Sequence, residues 1–297
     1  MRHAFTLALL VLASTTSFAA SHQRWDRINC GTCVQTLVDD VNDCSDLRVV
    51  FNDREAVRAE EMVTVGEARS LTIRAPQSGG IYVRGTESSR FSVKACKAVE
   101  FGELLANVHV NVNGDNMTAT GPNASGWIVY FLVDMPRAAR GDFATSNGPV
   151  QIRDVDGSIV ARAQNGPVSA KNTRGSIDLR AQNGPVAFSG SSGDIVLRTD
   201  NGPISVELLN TFWERGTLDA RTGNGPVSLR LPRGYRSGVA VETEGRSPVN
   251  CHAADCRDRR MKYDDDSSNW PAHIDLGSGP VAVTIATHNG PVTIDER

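Results

Sequence analysis

The stretch AQNGPV occupies Ala163–Val168 and recurs at Ala181–Val186, and the tetrapeptide Asn-Gly-Pro-Val or Asn-Gly-Pro-Ile returns up to the final residues of the chain. Its asparagines are Asn147, Asn165, Asn183, Asn201, Asn224 and Asn289, so the first four steps are 18, 18, 18 and 23 residues. A fixed period of this size marks a repeat architecture. A second mark lies between the first, at Gly157-Ser158-Ile159, Gly175-Ser176-Ile177, Gly193-Asp194-Ile195 and Gly216-Thr217-Leu218, with steps of 18, 18 and 23. Each repeat therefore holds two strands and two turns.

Within a repeat, apolar residues fall at Val150 and Ile152, Val168 and Ala170, Val186 and Phe188, Ile204 and Val206. They return at Ile159 and Ala161, Ile177 and Leu179, Ile195 and Leu197. Spacing by two describes strands with one face inward, and nothing here has helical spacing. Equivalent strands of successive repeats can stack as parallel ladders, burying a core that no single repeat could bury alone. The expected fold is all-β, a parallel β-solenoid. A turn of this length has a perimeter near 60 Å at about 3.3 Å per residue, so its interior is a packed core and not a ligand channel.

The turn chemistry fits. Glycine can take the positive φ that a corner demands, and the proline after it fixes its own φ and keeps the glycine out of the helical region. Proline's missing N–H is tolerable at the first residue of a strand. A corner repeated in register can also stack asparagine on asparagine as an amide ladder.

The chain opens MRHAFTLALLVLASTTSFAASHQRW, with basic Arg2, an apolar run from Ala4 to Ala13 and a small-residue cleavage region ending at Ala20. This reads as a secretory signal peptide over residues 1–20. Its apolar run is too short for a bilayer and no longer one follows, so no transmembrane anchor is expected. Without Arg2 the balance is 30 Lys and Arg against 34 Asp and Glu, a net charge of −4, which argues against a nucleic-acid partner. The six cysteines, Cys30, Cys33, Cys44, Cys96, Cys251 and Cys256, read as three disulfides in an exported chain. Cys251 and Cys256 are expected to close a small loop on each other, and the other four allow three pairings. A zinc site on Cys30-x-x-Cys33 would need Cys44 and Cys96 as further ligands, and oxidation is the commoner fate of exported thiols.

Trp127-Ile-Val-Tyr-Phe-Leu-Val-Asp-Met-Pro136, followed by a strand and by Asn-Gly-Pro-Val repeats alternating with Gly-Ser-Ile, resembles a widespread bacterial family of unknown function whose members are labelled candidate adhesins. The resemblance runs from about Val63 onward. It implies a right-handed β-helix with Asn-Gly turns and an adhesin-like role in the bacterial cell envelope.

The expected organisation is a polar, disulfide-pinned N-terminal segment at 21–61, irregular β coils or a cap at 62–140, and the repeat region at 141–297 with a disulfide-bearing insertion at 250–272. The 23-residue step places an outward loop at Leu208–Arg215. Phe212 and Trp213 lie near its tip, either folded back as a plug or offered as a stacking platform.

Catalytic motifs are missing: no nucleophile elbow, Walker loop, His-Glu-x-x-His or calcium loop occurs. The histidines, His3, His22, His109, His252, His273 and His288, are scattered, and Asp264–Asp266 reads as a solvated acidic run. No cofactor or metal is expected. The sharpest surface feature is a column of Arg162, Arg180, Arg198 and Arg221, each three residues before a motif asparagine and outward by parity. Guanidinium groups repeated about 4.8 Å apart suit carboxylate, sulfate or phosphate groups on an extended polymer. The bland alternative is a solvated row answered by Asp178 and Asp200. The expected function is an exported, non-catalytic binding or scaffold protein of the periplasm, cell surface or extracellular space. Its partner would be an anionic glycan, another envelope component or a protein, and the oligomeric state stays open. The competing expectation is a carbohydrate-active β-helix enzyme, a polysaccharide lyase or hydrolase.

Overall fold

The computed structural model describes residues 31–65, 68–123, 125–244, 247–254, 256 and 271–297. The expected signal peptide at 1–20, Cys30 and the acidic run Asp264–Asp266 lie outside the described residues. In chain order, β1 (Thr32–Thr36), β2 (Leu47–Phe51) and β3 (Arg54–Glu55) make a small antiparallel sheet. Next come β4 (Val57–Thr64), β5 (Ser70–Arg74), β6 (Ile81–Thr86), β7 (Ser92–Val99), β8 (His109–Asn113), β9 (Asn116–Thr120) and β10 (Trp127–Pro136). The repeats supply β11 (Arg140–Thr145), β12 (Val150–Arg153), β13 (Ser158–Ala163), β14 (Val168–Lys171), β15 (Ser176–Ala181), β16 (Val186–Gly190), β17 (Asp194–Thr199), β18 (Ile204–Leu208), β19 (Leu218–Asn224) and β20 (Val227–Leu231). The last five are β21 (Gly238–Glu244), β22 (Val249–Cys251), β23 (Pro271–Leu276), β24 (Val281–Asn289) and β25 (Val292–Glu296).

Apart from the small sheet, the described strands form two sheets of 11. The first runs β22-β25-β20-β18-β16-β14-β12-β6-β10-β7-β4, the second β23-β21-β24-β19-β17-β15-β13-β11-β5-β9-β8. From β11 to β20 consecutive strands alternate between the sheets, and each pairs in parallel with its equivalent one repeat on. Ile159 thus faces Ile177 and then Ile195, while Val168 faces Val186 and then Ile204. One strand from each sheet makes a rung. The inward residues named above are buried in one continuous apolar core.

The corners explain the motif, with one correction. Five of the six motif glycines, Gly148, Gly166, Gly184, Gly202 and Gly225, do not adopt positive φ; only Gly290 does. Glycine is needed there for close approach: a Cβ on Gly166 would lie 1.9 Å from the Gly148 carbonyl oxygen, and one on Gly184 would lie 2.2 Å from that of Gly166. Positive φ belongs to the opposite corner, at Gly175, Gly193 and Gly216. The amide ladder is present. Asn165 donates to Asn147 at 2.7 Å, Asn183 to Asn165 at 2.9 Å, Asn201 to Asn183 at 3.0 Å, Asn224 to Asn201 at 2.9 Å and Asn289 to Asn224 at 2.9 Å. Beneath it, buried Thr199, Thr222 and Thr287 donate their hydroxyls to the carbonyls of Gly184, Gly202 and Gly225. Each motif proline's carbonyl accepts from the first strand residue of the neighbouring rung, as in Val150 N–H to Pro167 at 2.9 Å.

Chain order and spatial order part company at both ends. β24 and β25 slot between the β19–β20 rung and the β21–β22 rung, so Leu218 faces Val283, which faces Val239. The 65 residues from Asn224 to Asn289 are thus bridged as one ladder step. At the other end β10 pairs with β6 in parallel and with β7 antiparallel, and β9 with β5 in parallel. The small β1–β3 sheet lies against the outer side of the first large sheet, over Tyr82, Tyr130, Ile128, Leu132 and Ala98. It stops where the outward column changes from Leu132 and Tyr82 to Gln151 and Ser169. Cys44–Cys96 and Cys251–Cys256 are bonded, as is Cys33.

Candidate functional site

The arginine column lies on the outer face of the second large sheet. Arg162 faces Arg180, Arg180 faces Arg198 and Arg198 faces Arg221, in direct register. Arg74 continues the column beyond Ala144, so the row holds five guanidinium groups. Two residues earlier runs a second column of Asp142, Val160, Asp178, Val196 and Asp219, with a carboxylate on every other rung.

The two columns pair. Asp142 accepts from Arg74 at 2.8 Å and from Arg162 at 3.1 Å. Asp178 holds Arg180 through two contacts of 2.8 and 2.9 Å. Asp219 accepts from Arg198 and, at 2.9 Å, from Arg221, which also donates to Glu242 at 3.0 Å. The Asp178 hydrogen bond raises the Arg180 pKa further; at Arg221 burial acts the other way but Asp219 and Glu242 outweigh it. Five cations therefore meet four carboxylates, and the field an anion would feel is largely cancelled. Of the two acids the sequence offered as partners, Asp178 pairs with Arg180 and Asp200 makes no ion pair among the described residues. Asp142 and Asp219 were missed, although their alternation with valine is readable in the repeat.

The loop between β18 and β19 divides its aromatics. Trp213 is only 6% exposed, packs against Phe188 with ring centroids 6.2 Å apart, and donates its indole N–H to the Gly193 carbonyl at 3.3 Å. Expecting both rings in an exposed platform is therefore wrong for Trp213, whose large apolar surface is worth more buried. Phe212 remains 44% exposed beneath the Arg236 guanidinium.

On the outer face of the first large sheet a cavity of about 380 Å³ lies between Asp39–Asn42 and the rung residues Ser169, Lys171, Ser205 and Glu207. Asn42 accepts from Arg84 at 2.9 Å and also from Arg153, which pairs with Asp40. Lys171 makes no ion pair among the described residues. His252 sits 2.8 Å from Asp295, and no group of three or more His, Cys, Asp or Glu placed for a metal occurs among the described residues. No described helix is long and apolar enough to cross a membrane.

The described strands define an all-β protein with two long, mostly parallel sheets. No family model and no curated protein matches the chain. Solved structures similar to it include a candidate cell adhesion protein from Clostridium sporogenes ATCC 15579, at 11% identity over 82% of this chain and 100% of that chain with a TM-score of 0.34. A candidate adhesin from Bacteroides fragilis NCTC 9343 shows 10% identity over 81% and 97%, TM-score 0.34. A candidate lipid binding protein from Parabacteroides distasonis ATCC 8503 shows 12% over 80% and 96%, TM-score 0.27. Superpositions this loose carry no argument about function.

Proposed function

We propose that this chain is an exported, non-catalytic β-solenoid that acts as an adhesin-like binding or scaffold module of the cell envelope. The observation that carries this reading is the unbroken asparagine ladder over six rungs, whose strands pair in parallel from each rung to the next. Such stacking supports a stiff rod with two straight faces, which suits contact with an extended polymer or a flat partner surface. Right-handed winding follows from the strong preference of parallel crossovers for that hand. Disulfides at Cys44–Cys96 and Cys251–Cys256 support an oxidising compartment.

The arginine row is the candidate contact for an anionic surface polymer, with Arg162 and Arg180 the most open at 48% and 54% side-chain exposure. Its carboxylates decide how that reading is tested. Binding to arrays of acidic and neutral glycans is compared for three forms: the native chain, an Arg162→Ser, Arg180→Ser, Arg198→Ser variant, and an Asp142→Asn, Asp178→Asn, Asp219→Asn variant. If the row binds polyanions, the asparagine variant binds acidic glycans more tightly and with steeper salt dependence, and the serine variant binds least. If all three behave alike, the row serves rung packing and the scaffold reading stands without it.

A further inference from the structure

We infer that β8 pairs antiparallel with β8 of a second copy, joining two chains edge to edge across a two-fold axis. β8 ends the second large sheet, and among the described residues only β9 pairs with it. An edge strand offers a row of unpaired N–H and C=O groups, and proteins usually guard such edges with charge. At the corresponding end of the first large sheet the edge strand β4 carries Arg58, Glu60 and Glu61. β8 reads His-Val-Asn-Val-Asn and carries no carboxylate, lysine or arginine.

The strand is close to self-complementary. Centred on Asn111, an antiparallel pair sets Asn111 against its own equivalent, Val110 against Val112, and His109 against Asn113. Such isologous pairing is what a two-fold axis requires. Its inner face also needs the partner. Val112 and Val110 face the buried Met117 and Ala119 on β9, and Val110 packs on the core, yet Val112 is 46% exposed. Across the axis Val112 would meet the second copy's Val110 and extend the apolar column. On the outer face Asn111, already donating to Thr120 at 3.0 Å, would continue a row of amides and hydroxyls.

A pair of five-residue strands falls short of the area of a standard stable interface, about 1,200 Å² or more, so association should be weak and concentration-dependent. The test is sedimentation of the disulfide-intact chain from about 1 µM to about 1 mM, covering the range of weak association. A monomer–dimer equilibrium is expected, shifted at least tenfold toward monomer by Val112→Lys with an unchanged circular dichroism spectrum. Under mild oxidation Asn111→Cys should cross-link two copies through the introduced thiols, whereas Asn113→Cys, facing His109, should not. A monomer throughout, a dimer indifferent to Val112→Lys, or growth beyond two copies would each overturn the inference. Should the valine variant unfold, the cross-linking pair still decides.

Discussion

At the corner of each rung a single methyl group is the difference between a rung that stacks and one that cannot. Because the Gly148 oxygen lies 1.9 Å from where a Gly166 Cβ would sit, Gly166→Ala must push two rungs apart. We expect a loss of about 2–3 kcal/mol in urea denaturation. Gly114 has φ of +64° but nothing within 4 Å of its added Cβ, so Gly114→Ala should cost only about 1 kcal/mol, the conformational penalty alone. That ordering separates crowding from backbone conformation, and the reverse ordering would refute the corner explanation. The asparagine ladder could be read from the repeat because identical side chains at identical rung positions must meet. The reason for glycine could not, since sequence shows that a Cβ is avoided and not whether φ or a neighbouring carbonyl forbids it.

Among elements, the small β1–β3 sheet is held by three kinds of contact: apolar packing on Tyr82, Tyr130 and Leu132, the Cys44–Cys96 disulfide, and polar ties at Asn42 and Asp43. Desolvation pushes the Tyr82 hydroxyl up to about 12, as its buried position requires. Asp43 moves the other way: hydrogen bonding from Lys94, then Ser45, lowers it from the ordinary 3.8 to about 2. A carboxyl depressed in the folded state stabilises that state above its unfolded pKa and loses the contribution as pH falls through the folded one. Docking of β1–β3 should therefore weaken between about pH 4 and pH 2, seen as faster hydrogen exchange in Val49–Phe51, and Asp43→Asn should remove that pH dependence. The disulfide spans 52 residues, and a Cys44→Ser, Cys96→Ser variant should lose about 2–4 kcal/mol and be cleaved by protease first within the β1–β3 segment. The tie between Cys44 and Cys96 was one of three pairings open from sequence. Which face the small sheet would cover was hidden, because the apolar outward column of Tyr82 and Leu132 emerges only once β10 is known to lie beside β6.

For the whole molecule, stability should behave as a sum over rungs and their interfaces. Deleting residues 165–182 removes one full rung and leaves every inward residue inward. The product should fold cooperatively with a lower melting temperature, whereas deleting residues 165–173 removes half a rung and should abolish cooperative unfolding. The regular middle was legible because its period is constant, while the splicing at each end was not, since it follows from which strands meet and not from their order. That splicing sets a timetable. The chain makes β21 and β22 before β24 and β25, yet the later pair must lie inside the earlier one. During N-to-C emergence, Val239 can settle on Leu218, the neighbour that Val283 will later claim, and the finished fold requires that premature pairing to be undone or avoided. Refolding should therefore show a slow phase that disappears when residues 281–297 are removed, because the shortened chain has nothing left to wait for.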